Sequence, residues 1–316
     1  MSESTEVPTL LRFIDQEAGP IVSLISSPHP NFWRRWLWYS TARLHPQWEA
    51  QPVPFHVLRP CGAGWSSDKE ESQCKAVTEA VERWAFRYCS KHSPAEADLD
   101  VNPTTDGFAA LPATLGEERL FIHAYCEALE RWGLSRLWDH GDIAFRRVRP
   151  HNDQVLKLFA RFPGQLHCFE AIVKLDRSNQ TLATQLVFCL CVFETPTGGA
   201  IPGSACGAHS QIALERAMLE AYVHVRAFAR MKDCNVESFE NMIEKRLCFF
   251  GNQTRGYAMV KERIQETASP GPINPPDIAF SKRLDGPWNP EVLVHRVMIS
   301  GDSRAANDAA LERFLI

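Results

Sequence analysis

The sequence predicts a mixed α/β fold. Two long segments carry their apolar residues on one face, the first at spacings of one, three and four, the signature of a helix with one buried stripe, and a third long segment also reads as helical. Short apolar runs bounded by turn residues lie between them and read as strands. Strands and helices are interspersed without a regular βαβ rhythm, so the fold is read as mixed. The 316 residues are 45% hydrophobic and 23% charged, an ordinary globular balance that excludes a disordered or collagen-like chain.

Ile21 to Ile25 reads as a strand, Pro28-His29-Pro30 as a turn, and Trp33, Trp36 and Trp38 as core or an interface patch. Cys61-Gly62-Ala63-Gly64 is a short glycine-containing stretch leading into Ser66-Ser67-Asp68. The first helix runs from Glu70 to about Lys91, with Ala76, Val77, Ala80, Val81, Trp84 and Tyr88 on its apolar stripe. Ser67 or Asp68 caps it, and acidic residues fill its first turn. Asn102 to Gly107 reads as a loop, and the second helix as Gly116 to Trp132. Ala171–Leu175 and Leu182–Phe193 read as strands joined by the turn Asp176-Arg177-Ser178-Asn179. Thr195 to Ala208, rich in Gly, Pro and Ser, reads as a loop before a third helix, Ser210 to Arg230. That helix carries Ala213, Leu214, Ala217, Met218 and Ala221 on one face. Ser269 to Pro276 is a surface loop, and Val292–Met298 a late strand. No composition break marks two independent domains, so 1–316 is expected to be a single domain.

Several function classes drop out. A net charge of -4 lacks the basic footprint of a nucleic-acid binder. The start MSESTEVPTL has no basic and apolar signal pattern. The longest apolar stretch, Leu186 to Phe193, falls short of the about 20 residues a membrane span needs. Ten cysteines without a C-x-x-C pair suggest reduced thiols and a cytoplasmic setting. His167-Cys168 and Cys189-x-Cys191 invite a thiol or metal reading, but no ligand set of known spacing is present, and Cys189 and Cys191 read as small core residues of one strand face. The histidines form no readable triad, and no G-x-S-x-G elbow occurs.

The most informative feature is an internal echo. Glu79-Ala80-Val81-Glu82-Arg83-Trp84 recurs as Glu127-Ala128-Leu129-Glu130-Arg131-Trp132, both within helices. Glutamates at i and i+3 project from one helix face and can converge on one point. The third helix adds Glu215-Arg216 and Glu220. One copy alone is read as a solvated face with an i,i+4 ion pair, worth about 0.2–0.5 kcal/mol. Two copies and a third acidic helix point instead to carboxylates gathered for Mg²⁺, a hard cation that often bridges to phosphate. No Walker loop and no G-x-G-x-x-G competes. Gly198, Gly199, Gly203 and Gly207 precede a helix N-terminus, which suits either an anion or a plain turn.

Three blocks together resemble the YcaO superfamily. The first is Gly64-Trp65-Ser66, then Lys75 to Arg83; the second is Pro103 to Ala110, then Glu127 to Arg131; the third is Gly203 to His209, then Ala213 to Glu220. Their order covers about residues 20–300. The resemblance implies a YcaO-like α/β fold with ATP and Mg²⁺ as cofactors. It also implies that Lys75, Glu79, Glu82, Arg83, Glu127, Glu130, Glu220 and His224 line the nucleotide, with Glu79, Glu82 and Glu220 toward the metal. Lys75 stands where the family often has Ser, and His224 where it usually has Gln. Gly62-Ala63-Gly64 replaces a G-K-G, and the chain ends Glu312-Arg313-Phe314-Leu315-Ile316 rather than in a proline-rich tail. The implied activity is ATP-dependent activation of backbone amides in a ribosomally made precursor peptide, giving azolines, thioamides or amidines. A separate leader-binding partner protein is expected, no nucleic acid and no membrane; a homodimer is left open. The alternative is a divergent YcaO-like scaffold that binds peptide or a synthetase partner without nucleotide turnover.

Overall fold

The computed structural model describes residues 10–15, 17, 19–29, 37–49, 61–92, 106–150, 153–175, 185–233, 235–239, 242–300 and 314. The elements run β1 (Ile21–His29), β2 (Leu37–Leu44), β3 (Cys61–Ser66), α1 (Lys69–His92), β4 (Asp106–Pro112), α2 (Glu117–Asp139) and β5 (Ala144–Val148). They continue α3 (Asp153–Phe159), β6 (Gln165–Lys174), β7 (Gln185–Glu194), β8 (Ala200–Gly207), α4 (Ser210–Met231), α5 (Met242–Asn252) and α6 (Gly256–Arg263). β9 (Gln265–Glu266), β10 (Ile278–Leu284) and β11 (Val292–Ile299) complete the order. The mixed α/β expectation holds, with three sheets among the described residues. The chain divides into two compact units: Met1–Val101, Phe108–Tyr125 and Phe280–Val297 form the first; Asn102–Gly107, Cys126–Ala279 and Met298–Ile316 form the second.

In unit 1, β1, β2 and β3 make an antiparallel meander. Ser40, Ala42 and Leu44 alternate inward along β2 and are fully buried, the period of a strand with one covered face. Helix α1 lies directly on β3. A Cβ at Gly62 would stand 2.0 Å from Ala76 O and 2.5 Å from Ala80 N, and one at Gly64 2.0 Å from Ser72 O. Only glycine permits that approach. Asp68 Oδ1 accepts the Glu71 N–H at 2.9 Å and caps the helix as the sequence suggests. Trp84, on the apolar stripe, sits inside an aromatic cluster, its ring centroid 6.3 Å from Phe13, 6.1 Å from Trp48 and 5.5 Å from Trp288. Burying a side chain of this size stabilises by about 1.5–3 kcal/mol. Trp84→Ala is therefore expected to cost about 3–5 kcal/mol in a urea unfolding curve.

Unit 2 is built on a five-stranded sheet of order β8-β7-β6-β5-β9. It is antiparallel except for the β5–β9 pair. Helix α4 packs on β8 as α1 packs on β3: a Cβ at Gly203 would stand 2.2 Å from Ala221 N and 2.3 Å from Ala217 O. Ala213, Leu214, Ala217, Met218 and Ala221 are all buried, as their spacing predicts. Each unit thus holds a three-stranded antiparallel meander followed by a long helix whose alanines rest on a strand glycine.

Several local readings change. Most of Thr195–Ala208, expected as a loop, is strand β8; its glycine serves close helix approach rather than a turn. Cys61–Gly64 is likewise the start of β3. Pro28 and His29, expected in a turn, end β1, an edge strand where a missing N–H is tolerated. Asp106 and Gly107 belong to β4. Helix α2 continues past Trp132 to Asp139 through Gly133, which lies against the Phe188 ring, where a Cβ would come within 2.9 Å. Pro30, Trp33, Trp36, residues 102–105 and the turn 176–179 lie outside the described residues. Among the described residues, no helix is long and apolar enough to cross a membrane.

Candidate functional site

β3 and β8 are edge strands, so alternate backbone N–H groups face away from their sheets and need other acceptors. In unit 1, Ala63 N–H donates to Glu79 Oε2 at 2.7 Å. The same turn of α1 that seats Ala76 and Ala80 on Gly62 presents Glu79 to this strand. Arg83, one turn on, forms an ion pair with Glu79 Oε1. Lys75 Nζ lies 2.6 Å from Glu71 Oε1 and donates to Trp65 O at 3.2 Å. Glu71 also accepts from Ser66 Oγ at 2.6 Å. Partial burial favours its neutral form, but the bonds from Lys75 and Ser66 outweigh it and lower its pKa. Glu82 is half-buried on α1.

Unit 2 repeats the device. Ser204 N–H donates to Glu220 Oε2 at 2.5 Å, and in both units the donor precedes the carboxylate by 16 residues. Ser204 Oγ–H donates to Glu130 Oε1 at 2.8 Å, so one serine holds carboxylates from two helices. His224 Nδ1 lies 2.7 Å from Pro202 O; a carbonyl only accepts, so Nδ1 carries the proton. Glu127 pairs with Arg131, whose Nη1 donates to Asp106 O at 2.8 Å. Burial, then the nearby charge of Glu220, pushes the Glu130 carboxyl from the ordinary 4.5 to about 8, against the opposing pull of Arg216 and the Ser204 hydroxyl.

The raised Glu130 value has a measurable consequence. The folded state holds a proton that the unfolded chain releases near 4.5, so this group's contribution is full below that pH and is lost as pH rises toward about 8. The melting temperature is expected to fall across this window, by on the order of 5 °C from this group. Glu130→Gln, neutral throughout, is expected to flatten that slope in thermal melts. Parallel slopes for the two proteins would refute the assignment.

The structure therefore anchors Glu79 and Glu220 on strand N–H groups and joins Glu130 to Glu220 through Ser204. Lys75 and His224, two of the positions that depart from the pattern of the resembled family, are engaged by Glu71 and Trp65 O and by Pro202 O. Among the described residues, no group of three or more His, Cys, Asp or Glu side chains stands ready as a metal cage. An all-oxygen donor set of one or two carboxylates still suits Mg²⁺, which keeps waters and shares its shell with phosphate oxygens. Sequence reasoning did not assign Ser204 or Arg216. Arg216 is exposed, one turn before Glu220, and its charge reaches Glu130. Its i−4 spacing from Glu220, the spacing of Lys75 from Glu79, was the available signal.

No family model matches the chain, and no curated protein matches it in sequence. Solved structures do resemble it. A YcaO from Methanopyrus kandleri, bound with AMPPCP and Mg²⁺, is 14% identical with a TM-score of 0.48, covering 89% of this chain and 85% of that one. A heterocyclase in complex with substrate and cofactor is 10% identical with a TM-score of 0.51, covering 94% of this chain and 52% of that one. The chain thus spans about half the length of that heterocyclase. The similarity to the heterocyclase extends over most of the chain, and what it shows is the fold, a mixed α/β architecture with several sheets.

Proposed function

We propose that this protein is an ATP- and Mg²⁺-dependent enzyme that activates backbone amides of a ribosomally made precursor peptide. The observation that carries the reading is the doubled arrangement in which a helix glutamate is oriented by an edge-strand N–H. The heterocyclase-like fold supports it. We assign Glu79, Glu82 and Glu220 to the metal, and Lys75, Arg83, Glu127, Glu130 and His224 with them to the nucleotide. Arg216 joins this set.

Mg-ATP, when bound, supplies a phosphoryl group that turns a peptide carbonyl oxygen into a leaving group. The protein's part is orientation and charge. Ala63 N–H and Ser204 N–H each hold one glutamate oxygen. That fixes the carboxylate at little further entropy cost when a cation arrives. Arg83 and Arg131 hold Glu79 and Glu127 in place through i,i+4 ion pairs. Ser204 Oγ–H orients one oxygen of Glu130, whose carboxyl burial and Glu220 hold toward its protonated form. A substrate Cys, Ser or Thr side chain would add to the activated carbonyl, and the oxygen would leave as phosphate, giving an azoline; thioamide and amidine products follow from other nucleophiles. A separate protein that binds the leader of the precursor completes this reading.

The test is mass spectrometry of a short Cys-, Ser- or Thr-rich peptide encoded beside the gene, incubated with the protein, Mg-ATP and any co-encoded partner. A loss of about 18 Da per site is expected for ring or amidine formation and a gain of about 16 Da for oxygen-to-sulfur exchange. An unchanged mass with ATP intact counts against the reading. One observation favours a scaffold without turnover. Two of the departures from the family pattern, Lys75 and His224, already have partners within the protein. Nucleotide binding separates the two readings.

A further inference from the structure

We propose that Cys168 and Cys191 form a latent disulfide across β6 and β7, closed by a hydroperoxide. The two residues face each other directly in the antiparallel register. Lys174 N–H donates to Ile273 O, and Ile273 N–H donates to Ile172 O. Residues 172 and 174 therefore turn their backbone groups away from β7, and strand alternation puts Cys168 in the same class. Cys168 and Cys191 are thus a non-hydrogen-bonded pair. Such pairs hold their Cα atoms about 4.5 Å apart, inside the range of about 4.4–6.8 Å that a disulfide spans. The sulfurs already lie 3.4 Å apart. Closing the bridge needs side-chain rotation rather than movement of the sheet.

Exposure orders the two steps. Both thiols are buried, so peroxide reaches them through local opening of the sheet; of the two, Cys168 keeps the residual exposure, 2% against 0%. Its sulfur attacks one peroxide oxygen, the O–O bond breaks, and the departing oxygen takes the thiol proton, leaving a sulfenic acid. Cys191 sulfur then attacks Cys168 sulfur, the S–O bond breaks, and the hydroxyl leaves with the Cys191 proton as water. With hydrogen peroxide, two thiols and one oxidant give one disulfide and two waters. The protein loses two electrons and the peroxide gains them. Burial and the neighbouring Cys168 push the Cys191 thiol up, which suits it to the resolving role rather than the attacking one.

The test uses the reduced, folded chain treated with hydrogen peroxide and measured by intact mass and peptide mapping. A loss of about 2 Da, mapped to Cys168–Cys191 and reversed by a phosphine reductant, is the expected result. Cys168→Ala and Cys191→Ala should each abolish it, and Cys126→Ala should not. Should an alanine variant fail to fold, the wild-type map decides alone. A bridge mapped to Cys126–Cys206, additions of oxygen without a bridge, or no change in mass would each overturn the proposal. None of these outcomes bears on the nucleotide reading.

Discussion

Gly203→Ala is expected to melt on the order of 5–10 °C below the wild-type chain, the largest loss of stability from a single methyl group in β8. The added Cβ would stand 2.2 Å from Ala221 N and 2.3 Å from Ala217 O. Both are backbone atoms of α4, which cannot rotate aside as a side chain would. The helix must lift, and the buried stripe from Ala213 to Ala221 lifts with it. Overpacking of this kind costs about 3 kcal/mol or more. It also separates Glu220 from the Ser204 N–H, so the site suffers along with the fold. Gly207→Ala is the control in the same strand. Its Cβ would meet only the Ala213 methyl at 3.7 Å, an ordinary contact. A urea or thermal curve that placed the two variants together would contradict the packing account.

The second large effect concerns turnover. In Glu79→Gln with Glu82→Gln, peptide-stimulated ATP hydrolysis is expected to fall by about 100-fold or more, the scale seen when a charge-stabilising contact is removed. The amide keeps the carboxylate's shape, and its carbonyl oxygen can still accept the Ala63 N–H that Glu79 accepts now. The fold should therefore persist, checked by an unchanged far-UV circular dichroism spectrum. What is lost is the charge that would balance the metal. Hydrolysis at the wild-type rate would remove both residues from the assignment.

How far the sequence discloses this arrangement depends on whether a signal is local. Helices α1 and α4 were legible because their stripes repeat every three or four residues, and those residues are buried. β7 was legible at its C-terminal end, expected at Phe193 and observed at Glu194, while the expected start at Leu182 lies outside the described residues. β8 was not. Its Gly, Pro and Ser content mimics a loop, and what makes it a strand is pairing with β7 and the seat it gives α4. The acidic residues were legible through the repeated hexapeptide and the family resemblance. Their anchoring was not, because Ala63 and Ser204 contribute backbone N–H groups that no side-chain pattern reports. The Cys168–Cys191 pairing was hidden for the same reason: it is a matter of register between strands, not of spacing along the chain.

Both the enzyme and the scaffold readings turn on whether the folded chain holds Mg-nucleotide. Isothermal titration calorimetry with Mg-AMPPCP, a non-hydrolysable analogue, asks this directly for the wild-type protein and for Glu220→Gln. Saturable binding to the wild type, weakened at least about tenfold in Glu220→Gln (about 1.4 kcal/mol), is the expected result. Absence of binding by the wild type at millimolar Mg-AMPPCP would contradict it and favour the scaffold reading.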